Sequence, residues 1–153
     1  MTTISTTNIN EARKEVDRLS NAKKQVIVLS QDDDFNRKIL ENKKVDILII
    51  NEDIKKKDYL KQRDSSLNEI LAKIAAKNNI KIAIDIDKIA SKPDIEQAKA
   101  LARLKQNIML CKKAKTSLIA ISKKDKKNII SLFLALGAST RQAKQSAEAN
   151  FFN

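Results

Sequence analysis

The side chains able to do chemistry in this chain gather just after its apolar runs. VIVL leads into Ser30, Asp32, Asp33 and Asp34, and DILII leads into Glu52 and Asp53. KIAIDI contains Asp85 and precedes Asp87, and SLIAI leads into Ser122, Lys123, Lys124 and Asp125. Carboxylates converging from such loops could hold Mg²⁺, which keeps most of its waters and needs only one or two protein ligands. Helix capping is the plainer reading. A carboxylate just ahead of a helix accepts the first backbone N–H groups, and Asp33, Asp34 and Asp125 stand at such positions.

Other chemistries are narrowed by what the sequence lacks. It has no histidine, which removes most zinc sites, the usual general base and every Ser-His or Cys-His nucleophile pair. Its one cysteine, Cys111, falls in an apolar stripe and cannot form a disulfide within the chain, so a reducing cytoplasm is expected. No GxGxxG, P-loop or CxxC pattern supports a nucleotide or redox reading. An acidic cluster after one strand and Asn51-Glu52-Asp53 after the next are similar to the phospho-acceptor pocket of response-regulator receiver domains. Asp53 would be the acceptor there, but Ser122 and Lys123 would have to supply from one strand two residues that receivers take from two.

The charge points to a polyanion. The net charge is +12, from 31 Lys+Arg against 19 Asp+Glu, and residues 93–153 hold 12 of the former and only 4 of the latter. A basic excess concentrated in one part suggests nucleic acid first and anionic membrane second; a lysine-rich solvated surface is the bland alternative. Aromatics make up 3% of residues, too few for a base-stacking platform, so contact with RNA would run through phosphates and shape. The start MTTISTTNIN lacks the apolar core of a signal peptide, and no run approaches the ~18 apolar residues of a membrane span.

The elements that must position these groups alternate. Residues 25–29, 45–50, 81–86 and 117–121 read as buried strands. Ile4 is a marginal fifth, in an N-terminal stretch 1–7 that could equally be disordered. A helix capped by Asn8 or Asn10 carries Ile9, Ala12, Val16 and Leu19 inward, and one capped by Asp33 or Asp34 carries Phe35 and Ile39. A Ser66–Glu69 capping box opens a third helix. Tyr59 and Leu60 are the only apolar anchors in the long polar connection 51–64. From Pro93 runs the longest helix, with Leu101, Leu104, Ile108 and Cys111 inward and Lys99, Arg103, Gln106, Lys112 and Lys113 on the other side. Asp125 caps the next, which ends at Gly137, the only glycine, where positive φ is wanted. A Ser139–Gln142 box starts the last. Buried strands alternating with helices predict one α/β domain over residues 1–153, with parallel pairing and right-handed crossovers.

Residues 67–150 carry a more specific pattern. LNEILAKIAAKNNIKIAIDID is followed by a helix ending LARLKQNIMLCKKAK, then SLIAIS, then LFLALGASTRQAKQSAEANFF. This succession resembles the TIM-barrel-like protein subunit of archaeal and eukaryal ribonuclease P, component 3 in the archaeal naming. Gly137, Ala143, Lys144 and Asn150 match its closing signature. Residues 24–53 fit more loosely, as two preceding strands. Family members are longer, with extra strands ahead of residue 25, and their double-serine loop is here Ser122-Lys-Lys-Asp125.

The resemblance implies a partial TIM-barrel-like sheet of the PHP type with helices outside. It also implies a non-catalytic subunit that helps the RNA remove the 5′ leader of precursor tRNA, with no cofactor of its own and Mg²⁺ held by the RNA. Implied partners are ribonuclease P RNA, precursor tRNA indirectly, and the small ferredoxin-fold subunit, component 2. Lys99, Arg103, Lys112, Lys113, Lys123, Lys124, Lys126, Lys127, Arg141 and Lys144 are the expected RNA contacts, with the outer helix faces meeting phosphate. Four strands cannot close an eight-stranded barrel of about 250 residues. An apolar sheet face left open would then be covered by a second copy of the chain or by another subunit.

Overall fold

Five short apolar segments lie side by side in the computed structural model, all parallel and in their order along the chain. They are β1 (Thr3–Ile4), β2 (Ile27–Leu29), β3 (Ile47–Ile49), β4 (Lys81–Asp85) and β5 (Leu118–Ile121). The structure describes residues 2–54, 58 and 62–148, so Tyr59, Leu60 and Asn150 lie outside the described residues. Seven helices accompany the sheet among the described residues: α1 (Ile9–Asn21), α2 (Asp33–Leu40), α3 (Glu69–Lys77), α4 (Ile86–Ala90), α5 (Asp94–Ala114), α6 (Lys126–Ala135) and α7 (Thr140–Glu148).

The strand order decides the fold. A right-handed crossover repeated without reversal puts every connecting helix on one face, as in a TIM barrel. A receiver domain instead reverses direction, in the order 2-1-3-4-5. The receiver reading is therefore overturned: this is a partial, TIM-barrel-like parallel sheet.

Each strand has two faces with different neighbours. Ile4, Val28, Leu48, Ile82, Ile84, Leu118 and Ala120 point toward the helices, where Val16, Leu19, Ile39, Leu71, Leu104, Ile108 and Phe133 complete the main core. Ile27, Ile47, Ile49, Ala83, Ile119 and Ile121 form a second cluster on the opposite, concave face. All six are buried. This removes the argument for an outside cover: the concave face is not left exposed. α7 packs beside β5, and Gln145 and Glu148 share a cleft with Ser117 and Ile119. A helix thus packs against the last strand of the sheet. Among the described residues the large apolar side chains that remain exposed, Ile70, Ile95, Met109 and Leu134, are on helices instead.

Several local expectations are corrected. At the N-terminus, where the sequence leaves both a strand and disorder open, Thr3–Ile4 is a strand paired with β2. Ile86 leaves the third predicted strand and begins α4, a helix too short to show a period, which Asp85 caps by accepting from Lys88 N. Asp32, not Asp33 or Asp34, caps α2. Asn68, not Ser66, caps α3, because Ser66 sits at φ 61° and cannot take the extended backbone of a cap. Pro93 is the residue ahead of the first turn of α5 rather than within it. Ser139 Oγ does accept from Gln142 N at 3.2 Å, but the Gln142 amide turns away and donates to the Ile108 carbonyl. Asn8, Asp125 and Gly137 take their expected places, the last at φ 97°.

Cys111 is fully buried, and burial pushes its thiol up to about 12. The folded thiol therefore stays neutral through the range where an exposed one ionises, and stability declines as pH rises from the ordinary thiol range toward 12. A thiol-labelling reagent at pH 8 should leave Cys111 unmodified in the native protein and react at once in denaturant. Fast native labelling would show that α5 opens locally.

Candidate nucleic-acid interface

At the end of the sheet where the strands finish, Asp53 and Asp87 are engaged by the protein itself. Asp53 binds Lys88 Nζ at 2.7 Å, which holds its carboxyl below the usual range. Lys92 Nζ donates to the Glu52 carbonyl at 3.0 Å. Asp87 accepts from Ser122 Oγ at 2.6 Å and from Lys123 N at 2.8 Å. Burial raises the Asp87 carboxyl, but those two donors and the charges of Lys124 and Lys123 outweigh it and leave it lowered. Asp33 moves the other way, raised by burial and then by Asp64, Asp32 and Asp34. Among the described residues no three His, Cys, Asp or Glu side chains gather as a metal site would require. The mouth is a set of latches: α4 is tied to the loop after β3 through Asp53 and to the loop after β5 through Asp87.

Those latches leave the lysines after β5 available. Lys123, Lys124, Lys126 and Lys127 are exposed, and none has a carboxylate partner among the described residues. They surround the start of α6, whose cap, Asp125, is the one acid there. The N–H groups of a first helical turn favour an anion. A string of cations at this end repels the helix dipole rather than complementing it, and an incoming phosphate reverses that sign.

The cations of α5 divide. Lys99 pairs with Glu96 at 3.5 Å and Lys113 with Glu69 at 3.1 Å, both exposed. Such pairs contribute about 0–1 kcal/mol and do not withhold a lysine from phosphate. Lys112 is exposed without a carboxylate partner among the described residues. Arg103 is a correction: it is 8% exposed and faces inward, its Nη2 on Asp58 Oδ2 at 3.3 Å. Gln106 is only partly exposed. Its Oε1 accepts from Arg63 N at 3.1 Å, and its Nε2 donates to Arg63 O at 2.8 Å and to Ser65 Oγ at 3.0 Å. Buried Asn107 donates to Ser65 O. This stretch of α5 is a docking strip for the connection ahead of α3, and its polar residues hold that connection in place.

Arg141 and Lys144 are exposed on α7, again without carboxylate partners among the described residues. Arg141 and Lys112 lie near the start of β5, at the opposite end of the strand from Lys123 to Lys127. The ten expected contacts therefore form no single patch. Reasoning from sequence missed Lys115, which is at φ 59° in the C-cap of α5 and lines a cleft with Lys112 and Arg141. The lysine run 112–115 held the signal, but no rule of spacing brings it beside the first turn of α7.

Comparison with known proteins places this arrangement. No protein-family model matches the chain. Ribonuclease P protein component 3 of Methanococcus vannielii is 27% identical over 115 residues, 75% of this chain and 47% of the relative. The protein of the same name from Methanococcus maripaludis strain C7 is 30% identical over 119 residues, 78% of this chain and 48% of the relative. The chain thus spans about half the length of the curated relatives it matches. A chain in the cryo-EM structure of archaeal ribonuclease P with mature tRNA superposes with a TM-score of 0.78 at 21% identity, over 95% of this chain and 63% of that one. An uncharacterized protein shares the fold at a TM-score of 0.61 and 14% identity, over 92% of this chain and 36% of its own. Among the described residues no helix is long and apolar enough to cross a membrane. Over some three quarters of its length, the chain is related in sequence to archaeal ribonuclease P protein component 3.

Proposed function

We propose that this protein is a subunit of ribonuclease P that supports the catalytic RNA in removing the 5′ leader of precursor tRNA. The observation that carries this reading is its relation to component 3 over some three quarters of the chain. The protein's part is charge and shape. Hydrolysis belongs to the RNA and to Mg²⁺ held by its phosphates, and the protein screens phosphate repulsion from outside. Its protein partner in this reading is the small ferredoxin-fold subunit, component 2, and its place is the cytoplasm. The buried concave face gives no reason for a second copy of the chain, so the heteromeric pairing is the one we advance.

Reconstitution tests it. Adding the chain and component 2 to ribonuclease P RNA should lower the Mg²⁺ needed for leader removal, while the chain without RNA should cleave nothing. Turnover by RNA-free protein, or no association with the RNA or with component 2, would overturn the reading. Changing Lys123, Lys124, Lys126 and Lys127 together to Gln should flatten the salt dependence of RNA binding. The log–log slope should fall by roughly 0.7–0.9 for each phosphate that the protein no longer neutralises. An unchanged slope would place the phosphate away from this loop.

A further inference from the structure

Between the end of α5 and the start of α7 lies a cleft of about 480 Å³. Lys112 and Lys115 stand on one side and Arg141 on the other, and Ser117, Ser139 and Gln145 share the lining. No Asp or Glu lines it. Two other clefts of the chain are mixed in charge, one with Glu11 and Glu15 beside Lys14, the other with Glu148 beside Lys81. None of the three cations has an ion-pair partner among the described residues. Like charges held together in a concavity repel, and an anion relieves that repulsion.

A second observation narrows the ligand. Gln142 also lines the cleft and is 8% exposed. Its Nε2 donates to the Ile108 carbonyl at 2.8 Å, while its Oε1 is buried and accepts from no described residue. A buried amide oxygen without a donor is unfavourable. Three cations and one acceptor in want of a hydrogen suit a ligand that brings both negative charge and a hydroxyl. RNA does so at every residue, through its phosphate and 2′-OH. The first turn of α7 has no carboxylate; Ser139 Oγ already takes the Gln142 N–H, and the positive end of the helix dipole adds to the pull on phosphate.

We propose that this cleft seats one backbone phosphate of an RNA together with the adjoining ribose, apart from the lysine loop after β5. The proposal rests on the ribonucleoprotein reading above and names a contact within it. Arg141 supplies a planar fork for two phosphate oxygens, Lys112 and Lys115 supply point charges, and the ribose hydroxyl donates to Gln142 Oε1 once a small turn of that side chain opens the buried oxygen to the cleft.

The test uses the full chain with transcribed Methanococcus maripaludis ribonuclease P RNA as the probe. An amine-acylating reagent, read by mass spectrometry, should modify Lys112 and Lys115 in the free protein and spare them in the complex. Lys112→Gln with Arg141→Gln should weaken binding about tenfold and flatten the log–log salt slope by roughly 0.7–0.9, one phosphate's share. Lys115→Gly separates binding from folding. It removes a side chain from a left-handed backbone position, so it should raise the melting temperature by about 2–4 °C while still weakening binding. A 2′-deoxy version of the probe should compete several-fold less well, and equal competition would remove the hydroxyl from the proposal. If wild type binds but Lys112 and Lys115 stay reactive and these variants bind normally, the cleft proposal falls and the functional reading stands. If wild type does not bind the RNA, both fall.

Discussion

Asp58→Ala is expected to destabilise the protein by about 2–3 kcal/mol, more than Arg103→Met does. Asp58 Oδ2 receives Arg103 Nη2 at 3.3 Å and Arg63 Nη1 at 3.1 Å. The Arg103 side chain is 10% exposed and that of Asp58 26%. Removing the acid leaves a guanidinium buried without a counter-charge, a change that costs about 3–5 kcal/mol for a fully buried pair. The Asp58 side chain is a quarter exposed on a residue that is exposed as a whole, so water can replace part of what it gives, and the lower figure follows. Removing the arginine instead takes the charge and its buried Nε, which has no partner among the described residues, out of the interior together. Arg103→Met keeps the aliphatic bulk and should therefore be milder. Urea unfolding of both variants and of the double variant measures the coupling, and the double variant should regain much of what Asp58→Ala loses. Additive losses, or Arg103→Met as the worse of the two, would mean that Arg103 acts through another contact. RNA affinity at equal folded fraction should be unaffected by Arg103→Met, since the side chain does not face solvent.

Phe133→Ala should cost about 3–5 kcal/mol, the usual range for emptying a buried aromatic site. Phe133 is wholly buried and is the largest fully buried side chain among the described residues. It lies on the inner face of α6, and its carbonyl accepts from Ala138 N just beyond Gly137, where the chain turns into α7. The cavity left behind would loosen the α6–α7 pair that covers the β5 side of the sheet. Against a total stability of about 5–15 kcal/mol this is a large fraction. Phe133→Leu, which retains much of the volume, should cost clearly less. Thermal melts of the two variants decide it. A change under about 1 kcal/mol for the alanine variant would show that α6 collapses onto the vacancy and that the core does not depend on this ring.

Arg103 drops out of the expected RNA contacts for a general reason. At positions 99, 103, 106, 112 and 113 the sequence offers polar side chains opposite an apolar stripe, and periodicity assigns all of them to solvent. Only the fold brings a second polar segment, residues 62–66, across the middle of that face. Lys99 and Lys113, outside the strip, keep the exposure that periodicity predicts.

Strand identity and helix identity were legible because burial on both faces forces uninterrupted runs such as VIVL and SLIAI, and burial on one face forces apolar spacings of three and four. Most caps were legible to within a residue or two because a cap is local chemistry: Asn8, Asp125 and Gly137 act within a turn of where they stand. The absence of histidine and the basic C-terminal half were simple properties of composition. Strand order was not local. Whether β3 follows β2 or the sheet reverses is decided by long-range pairing, and the same alternation of strands and helices serves both a receiver and a partial barrel. β1 could not be read from two residues whose only support is the neighbouring strand. The concave cluster of Ile27, Ile47, Ile49, Ala83, Ile119 and Ile121 comes from four strands far apart in sequence. The same holds for the cleft of Lys112, Lys115 and Arg141. Each residue alone is one more surface cation, and only the packing of α7 beside β5 puts Arg141 across from the lysines that end α5.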